Sequence, residues 1–176
     1  MTNAHHRAII ATLAFVALAG RAVEAGKPLD MPVTNTLRIE ASRVPREGHN
    51  LGATGELTVV LKGLRNDKGL ARLALFGSQT GWPGEWSASG VAYGATRIEK
   101  GVARMVFTGV PHGSYAIIAY HDENNNGVTD SNFLGVPSEG YGFSNNVKPL
   151  ISSPKFKEAR FEIGPKPGAI EIRMIY

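Results

Sequence analysis

The sequence predicts an all-β fold, a single antiparallel β-sandwich of about seven strands with one long loop excursion rich in Gly and Asn. Short apolar or alternating segments recur from Glu56 to the C-terminus, and turn residues separate them. The 21 glycines and 10 prolines of the 176-residue chain suit a fold with many turns. No segment after residue 25 has the apolar spacing of an amphipathic helix. An open barrel is the alternative architecture.

Residues 1–25 are predicted to be a cleavable secretory signal. A basic end with Arg7 precedes the apolar run AIIATLAFVALAG, and small residues follow this run. The run is shorter than the roughly 20 residues that a membrane-spanning helix needs. We expect cleavage after Ala25, with Ala22 as the alternative site, and an uncleaved anchor is the competing interpretation. The mature chain is then exported to the periplasm or the extracellular space and has no transmembrane segment.

We therefore expect the mature protein to begin at Gly26. Mass spectrometry of the exported protein measures this N-terminus directly. An intact Met1 in the soluble cytoplasmic fraction would contradict the prediction.

Composition excludes several classes of function. The chain has no cysteine, which excludes disulfides, thiolate catalysis and cysteine-based zinc sites. The net charge is +4, but the basic residues are scattered without a Lys/Arg run, so nucleic-acid binding is not expected. Hydrophobic residues make up 43% of the chain, which is enough for one packed domain.

The predicted elements follow in order. Residues 26–53 are expected to be a linker or a loosely packed N-terminal lead, within which 37–41 alternates and could form an edge strand. The domain covers residues 54–176. The segment 115–120, YAIIAY, is apolar on both faces and is placed centrally in the sheet. The other predicted strands are 57–61, 70–76, 91–98, 102–107, 159–163 and 170–174, with a long loop over 121–156.

The strongest motif is the segment Asp122–Asp130, DENNNGVTD. Side-chain oxygens fall at the first, third, fifth and ninth positions of a calcium loop, glycine falls at the sixth, and the carbonyl of the seventh is available. Glu139 could complete the shell. The predicted ligands of a Ca²⁺ cofactor are Asp122, Asn124, Asn126, Val128, Asp130 and Glu139.

Two departures keep a second interpretation open. Phe133 stands at the twelfth position, where an EF-hand has Glu, and no helices flank the loop. Asn and Asp also form Asx-turns and tolerate left-handed backbone, so the same run is typical of a tight loop without metal.

Catalytic candidates are few. His121 lies beside Asp122 in sequence, and with Glu139 these groups could form the acid/base set of a hydrolase acting on a polysaccharide. A single histidine at a strand end is more often structural. Five aromatic residues in loops or weak strands could stack on sugar rings, anchor a partner or cap the ends of the sandwich core: Trp82, Trp86, Tyr93, Tyr141 and Phe143.

The segments His121–Gly127, HDENNNG, and Leu134–Asn146, LGVPSEGYGFSNN, carry a resemblance to a known family. The chain resembles the secreted bacterial family called domain of unknown function 2141 from about Leu57 to Tyr176, including the early GLRN, KG and later PKF segments. This resemblance implies an exported protein and no established activity. More loosely, Gly109–Tyr115 is similar to the corner of transthyretin-like and collagen-adhesin B-type modules, which implies an immunoglobulin-like or prealbumin-like sandwich.

These observations favour a non-enzymatic binding or structural module outside the cytoplasm. We expect residues 121–146 to form its recognition surface, for an unknown protein or a carbohydrate. The alternative is the hydrolase. Catalytic carboxylates of glycosidases face each other across an open cleft, whereas a metal or structural loop brings its oxygens together inside a closed turn.

Overall fold

One long strand, β6 (Val102–Asp122), pairs with most of the other strands in the computed structural model, which describes residues 31–130, 137–149 and 152–176. Within those residues nine strands form one mixed sheet with the order β4-β3-β6-β2-β9, and β1, β5, β7 and β8 also pair with β6. The strands are β1 (Thr36–Arg38), β2 (His49–Lys62), β3 (Leu70–Phe76), β4 (Ala92–Thr96), β5 (Ile98–Glu99), β6, β7 (Tyr141–Phe143), β8 (Phe161–Ile163) and β9 (Gly168–Arg173).

The all-β prediction is confirmed, but the strand count and direction differ from the expected antiparallel set of about seven. β1 runs parallel to β6, and β9 runs parallel to β2. The sheet is open, because β4 and β9 stand at its two ends. An alternating pattern specifies which side chains face inward, but it carries no information about the partner strand or its direction.

β6 joins two segments that the sequence predicted as separate strands. Its first part, up to Gly113, pairs with β2, and its last part, from Ala116, pairs with β3. Glycine and proline between them predicted a break. The register with β2 instead shifts at two irregularities, between Asn50 and Thr54 and between Gly55 and Glu56, so the strand continues through the bend.

The sheet folds so that both parts of β6 contribute to one main core. Met105 and Phe107 of the first part belong to the same buried cluster as Ile117 and Ala119 of the last part. Alternate residues of the last part, Ala116, Ile118 and Tyr120, enter a second buried cluster on the opposite face. The prediction that 115–120 is buried on both faces is confirmed.

The N-terminal lead places Met31 in the second cluster, and its residues from Leu37 onward contribute to the main core. Ile39 and Val44 are buried in it, and the Ile39 N–H donates to the carbonyl of Thr108 at 2.9 Å. β2 begins at His49, well before the expected start near Glu56. These contacts hold part of the predicted linker against the sheet.

Among the described residues, four short helical turns interrupt the loops. α1 (Trp86–Ser89) and α2 (Phe156–Ala159) are single turns, and 3₁₀ turns cover Ala41–Arg43 and Ser144–Asn146. A single helical turn is too short to show the apolar spacing of a helix, which explains why the sequence predicted no helix here. No helix among the described residues is long and apolar enough to cross a membrane.

The indoles lie inside the second cluster. Trp82 Nε1 donates to the carbonyl of Pro154 and Trp86 Nε1 to that of Pro83, both at 2.8 Å. Phe143 is buried in the same cluster with its ring centre 5.9 Å from that of Trp82, while Tyr93 and Tyr141 pack against the cluster half-buried. The geometry therefore favours core-capping over sugar stacking for these rings.

Candidate functional site: the closed polar loop

A buried ion pair lies at the base of the loop that follows β6. β3 and β6 are antiparallel neighbours, which brings Arg72 beside the end of β6. Arg72 Nε donates to Asp122 Oδ2 at 2.6 Å, and Arg72 Nη2 donates to Asn125 Oδ1 at 3.1 Å. Arg72 is 7% exposed and Asp122 is 0% exposed. A buried guanidinium thus supplies positive charge inside the predicted calcium loop.

Asp122 also organises the backbone of the turn. Its Oδ1 accepts a hydrogen bond from the N–H of Asn126 at 3.0 Å, and its Oδ2 accepts one from the N–H of Gly127 at 2.9 Å. Gly127 has a φ of 80°, a conformation that favours glycine. The carboxylate therefore closes the turn around the position where the chain reverses.

The asparagines continue this pattern as Asx-turns. Asn124 Oδ1 accepts from the N–H of Asn126 at 3.0 Å, and Asn126 Oδ1 accepts from the N–H of Val128 at 2.9 Å. The Nδ2 groups of Asn124 and Asn126 donate to the two carboxylate oxygens of Asp130, at 2.6 and 3.1 Å. Each of these side chains bonds to another part of the same loop.

Glu139 ties the two ends of the excursion together. Its Oε1 accepts from the N–H of Glu123 at 2.8 Å, and its Oε2 accepts from the N–H of Asp130 at 3.1 Å. The residue is 4% exposed, and burial raises the pKa of its carboxyl above the usual range. Glu139 folds back to the loop as the sequence suggested, but its contacts are with backbone N–H groups.

His121, the residue before Asp122 near the end of β6, is fully buried. Its Nε2 lies 2.8 Å from the carbonyl of Lys68, so this nitrogen carries the hydrogen, because a carbonyl can only accept. Its Nδ1 then accepts the hydroxyl hydrogen of Tyr176 at 2.7 Å. The Tyr176 oxygen in turn accepts from the N–H of Arg65 at 2.9 Å. Both ring nitrogens are therefore used by the fold.

A second ion pair covers the loop from outside. Arg65 Nη2 lies 2.5 Å from Glu123 Oε1, and Asn66 Nδ2 donates to Glu123 Oε2 at 2.8 Å. Burial raises the pKa of Glu123, but the bonds from Asn66 and Arg65 outweigh it, and that pKa lies below its ordinary value. The Arg65 guanidinium also stacks 4.6 Å from the centre of the Tyr176 ring.

The close approach of two backbone segments explains the glycine at position 69. Gly69 packs directly against the carbonyl of Asp122, and a Cβ at this position would collide with that oxygen. Its φ of 63° is also one that glycine adopts readily. This contact places the turn before β3 against the base of the loop.

The Ser144–Asn146 segment fastens the excursion to three other strands or turns. Ser144 Oγ is buried, donates to the carbonyl of Ala159 at 2.6 Å and accepts from the N–H of Ile117 at 2.9 Å. The Asn145 amide donates to the carbonyls of Glu158 and Arg160, at 3.2 and 2.8 Å. Asn146 accepts from the N–H of Arg173 at 2.7 Å and so covers part of the β9 edge.

Replacing Ser144 by alanine is expected to lower the free energy of unfolding by about 1–3 kcal/mol, because the Ile117 N–H and the Ala159 carbonyl lose a buried partner. Urea unfolding measures the change. Ser138→Ala, at an exposed position, is the control and should change stability by less than about 0.5 kcal/mol. Equal effects of the two substitutions would contradict the role of Ser144.

The side chains of the predicted calcium ligands do come together, but their oxygens already accept hydrogen bonds. Asp122 holds a guanidinium and two backbone N–H groups, and Glu139 holds two more. A calcium ion would have to displace these bonds and approach an arginine, so this donor set does not fit the ion as it is folded. Among the described residues, no group of three or more His, Asp or Glu side chains is arranged to hold a metal.

Sequence reasoning identified the loop but missed Arg72, Arg65, Tyr176 and the role of Ser144. Arg72 left a signal, because it is the one charge in the apolar strand LARLALF. A charge within a strand that is apolar on both sides requires a buried partner of opposite sign. Tyr176 and Ser144 left none, because their partners are far away in sequence.

Comparison with known proteins gives one match. A family model described as an uncharacterized protein conserved in bacteria (DUF2141) matches residues 59–171, more than half of the chain. No curated protein and no solved structure matched the chain.

Proposed function

The chain belongs to the DUF2141 family of uncharacterized bacterial proteins, and since that description carries no activity, we propose from the loop geometry that the mature domain is an exported, non-enzymatic binding or structural module. We call the side chains of 121–130 and 137–146 that fix the excursion to the sheet the clasp. In this proposal the residues of the strongest motif are part of the clasp and have a structural role. Binding is then performed by a surface that this rigid frame supports.

One observation carries the proposal. The three candidate catalytic residues, His121, Asp122 and Glu139, are each at most 4% exposed. Their ring nitrogens and carboxylate oxygens are all hydrogen-bonded within the fold. A general acid or base must reach the proton it transfers, and these groups face the protein instead of a cleft.

Simultaneous measurement of binding and hydrolysis tests this proposal against the hydrolase alternative. The mature protein is incubated with acidic and neutral polysaccharides, retention is measured by co-sedimentation, and bond cleavage is measured as new reducing ends. The proposal predicts no release above the buffer control. Release that disappears in a folded Glu139→Gln variant would contradict it and assign Glu139 a catalytic role.

Calcium plays no part in the proposed clasp, because Arg72 provides the cation at Asp122. Calcium stabilisation remains a prediction of the motif, and thermal unfolding with and without the ion decides between the two. Export likewise rests on the N-terminal sequence, and the Gly26 N-terminus is its test.

A further inference from the structure

A groove of about 540 Å³ opens on the outer face of the sheet, far in sequence from the clasp. Its walls come from residues 33–36, 96–99 and 102–106, where β1 and β5 lie along the same side of β6. The volume falls within the range of about 300–1,000 Å³ that is typical of small-ligand pockets.

Two arginines line this groove, and neither forms an ion pair with an acidic residue of the described chain. Arg104 projects from the outer face of β6, because its neighbours Ala103 and Met105 are buried in the core and the side chains of a strand alternate. Arg97 is exposed directly before β5. In the described part of the chain, neither side chain has an ion-pair or hydrogen-bond partner, whereas Arg72 and Arg65 both do.

The rest of the groove is mixed in chemistry. Asn35 and Glu99 contribute polar groups, and Glu99 is the one acidic residue of the lining. Val102 and Val106 are half-buried on the outer face, and Val33 is 54% exposed. The lining thus offers sites for a carboxylate, for hydroxyl groups and for an apolar surface within one groove.

We propose that this groove binds an acidic sugar, a uronate unit of a polysaccharide. The two guanidiniums would bind the sugar carboxylate, for which a planar fork of donors is well suited. Glu99 would accept from ring hydroxyls, the Asn35 amide would donate to or accept from them, and the valines would pack against the C–H face of the ring. A polyacidic peptide fits less well, because it offers neither ring hydroxyls to Asn35 and Glu99 nor the C–H face of a sugar ring to the valines. This inference rests on the proposed binding role and names its ligand class.

Isothermal titration calorimetry with a galacturonic acid trimer tests whether the groove binds a uronate, and a galactose trimer serves as the neutral probe. We expect binding of the acidic trimer that weakens with added salt, and binding of the neutral trimer at least about tenfold weaker. Arg104→Gln and Arg97→Gln should each weaken acidic-trimer binding by about tenfold or more at an unchanged melting temperature. Arg160→Gln, an exposed arginine outside the groove, is the matched control and should leave the affinity unchanged.

Four outcomes would overturn the proposal: no binding of the acidic trimer, equal binding of the neutral trimer, an equal loss in Arg160→Gln, or equally tight binding of hexaglutamate. None of them touches the non-enzymatic assignment, which fails if the protein releases reducing ends above the buffer control in the polysaccharide experiment. The two proposals can therefore fail separately.

Discussion

Replacing Asp122 by alanine is expected to lower the free energy of unfolding by about 3–5 kcal/mol. The substitution leaves the Arg72 guanidinium buried without its carboxylate. The cost is large because a buried unpaired charge is among the most destabilising defects in a folded protein. It also removes the acceptor of the Gly127 N–H and one of the two acceptors of the Asn126 N–H, so the turn is held less firmly. Urea unfolding of both proteins measures the difference.

Two further variants separate the ion pair from general damage to the loop. Asp130→Ala removes a less buried carboxylate of the same loop and should cost only about 1 kcal/mol. Arg72→Met combined with Asp122→Leu removes both charges and should recover much of the loss, because no charge is then stranded. A cost below about 1 kcal/mol for Asp122→Ala would show that the pair does not hold the clasp together.

Ile117→Ala is expected to destabilise the domain by about 2–5 kcal/mol. The side chain is fully buried in the main core, on the strand that pairs with β3 on one side and lies next to β7 on the other. The cavity left behind adds to the lost transfer free energy, since strands held on both sides cannot close around it.

Chemical denaturation of three variants checks the position of this strand. Ile118→Ala, in the second cluster, should cost a similar amount, since the strand is buried on both faces. Val106→Ala, on the half-buried outer face of β6, should cost about 1 kcal/mol or less. Losses well under 1 kcal/mol at both isoleucines would contradict the central placement.

The sequence predicts those parts of the fold in which a local pattern suffices. The double-sided apolar run YAIIAY placed the central strand correctly, and the alternation before Lys62 placed the inward side chains of β2. It could not predict the parallel pairing of β9 with β2, because strand direction depends on contacts between distant segments. Gly109 and Gly113 suggested a break where a bulged strand continues, because glycine is common both in turns and at bulges.

The residues that form the loop could be predicted from the sequence, but the cation that pairs with Asp122 could not. The oxygens of Asp122, Asn124 and Asn126 were correctly placed in one turn, since Asx residues act on their near neighbours. The cation at Asp122 comes from β3, 50 residues earlier in the chain. Sequence spacing within the loop contains no trace of that partner, so a motif built for oxygen ligands was equally compatible with calcium and with arginine.

Thermal unfolding of the wild-type protein in millimolar calcium and in chelator tests the central claim that Arg72, and no metal, neutralises the clasp. We expect the same melting temperature in both conditions, and the same loss of stability in both for Asp122→Ala. A calcium loop requires a gain of about 2.7 kcal/mol when the ion stands a hundredfold above its Kd. Such a gain in the wild type, absent in Asp122→Ala, would contradict the account and establish the loop as a calcium site.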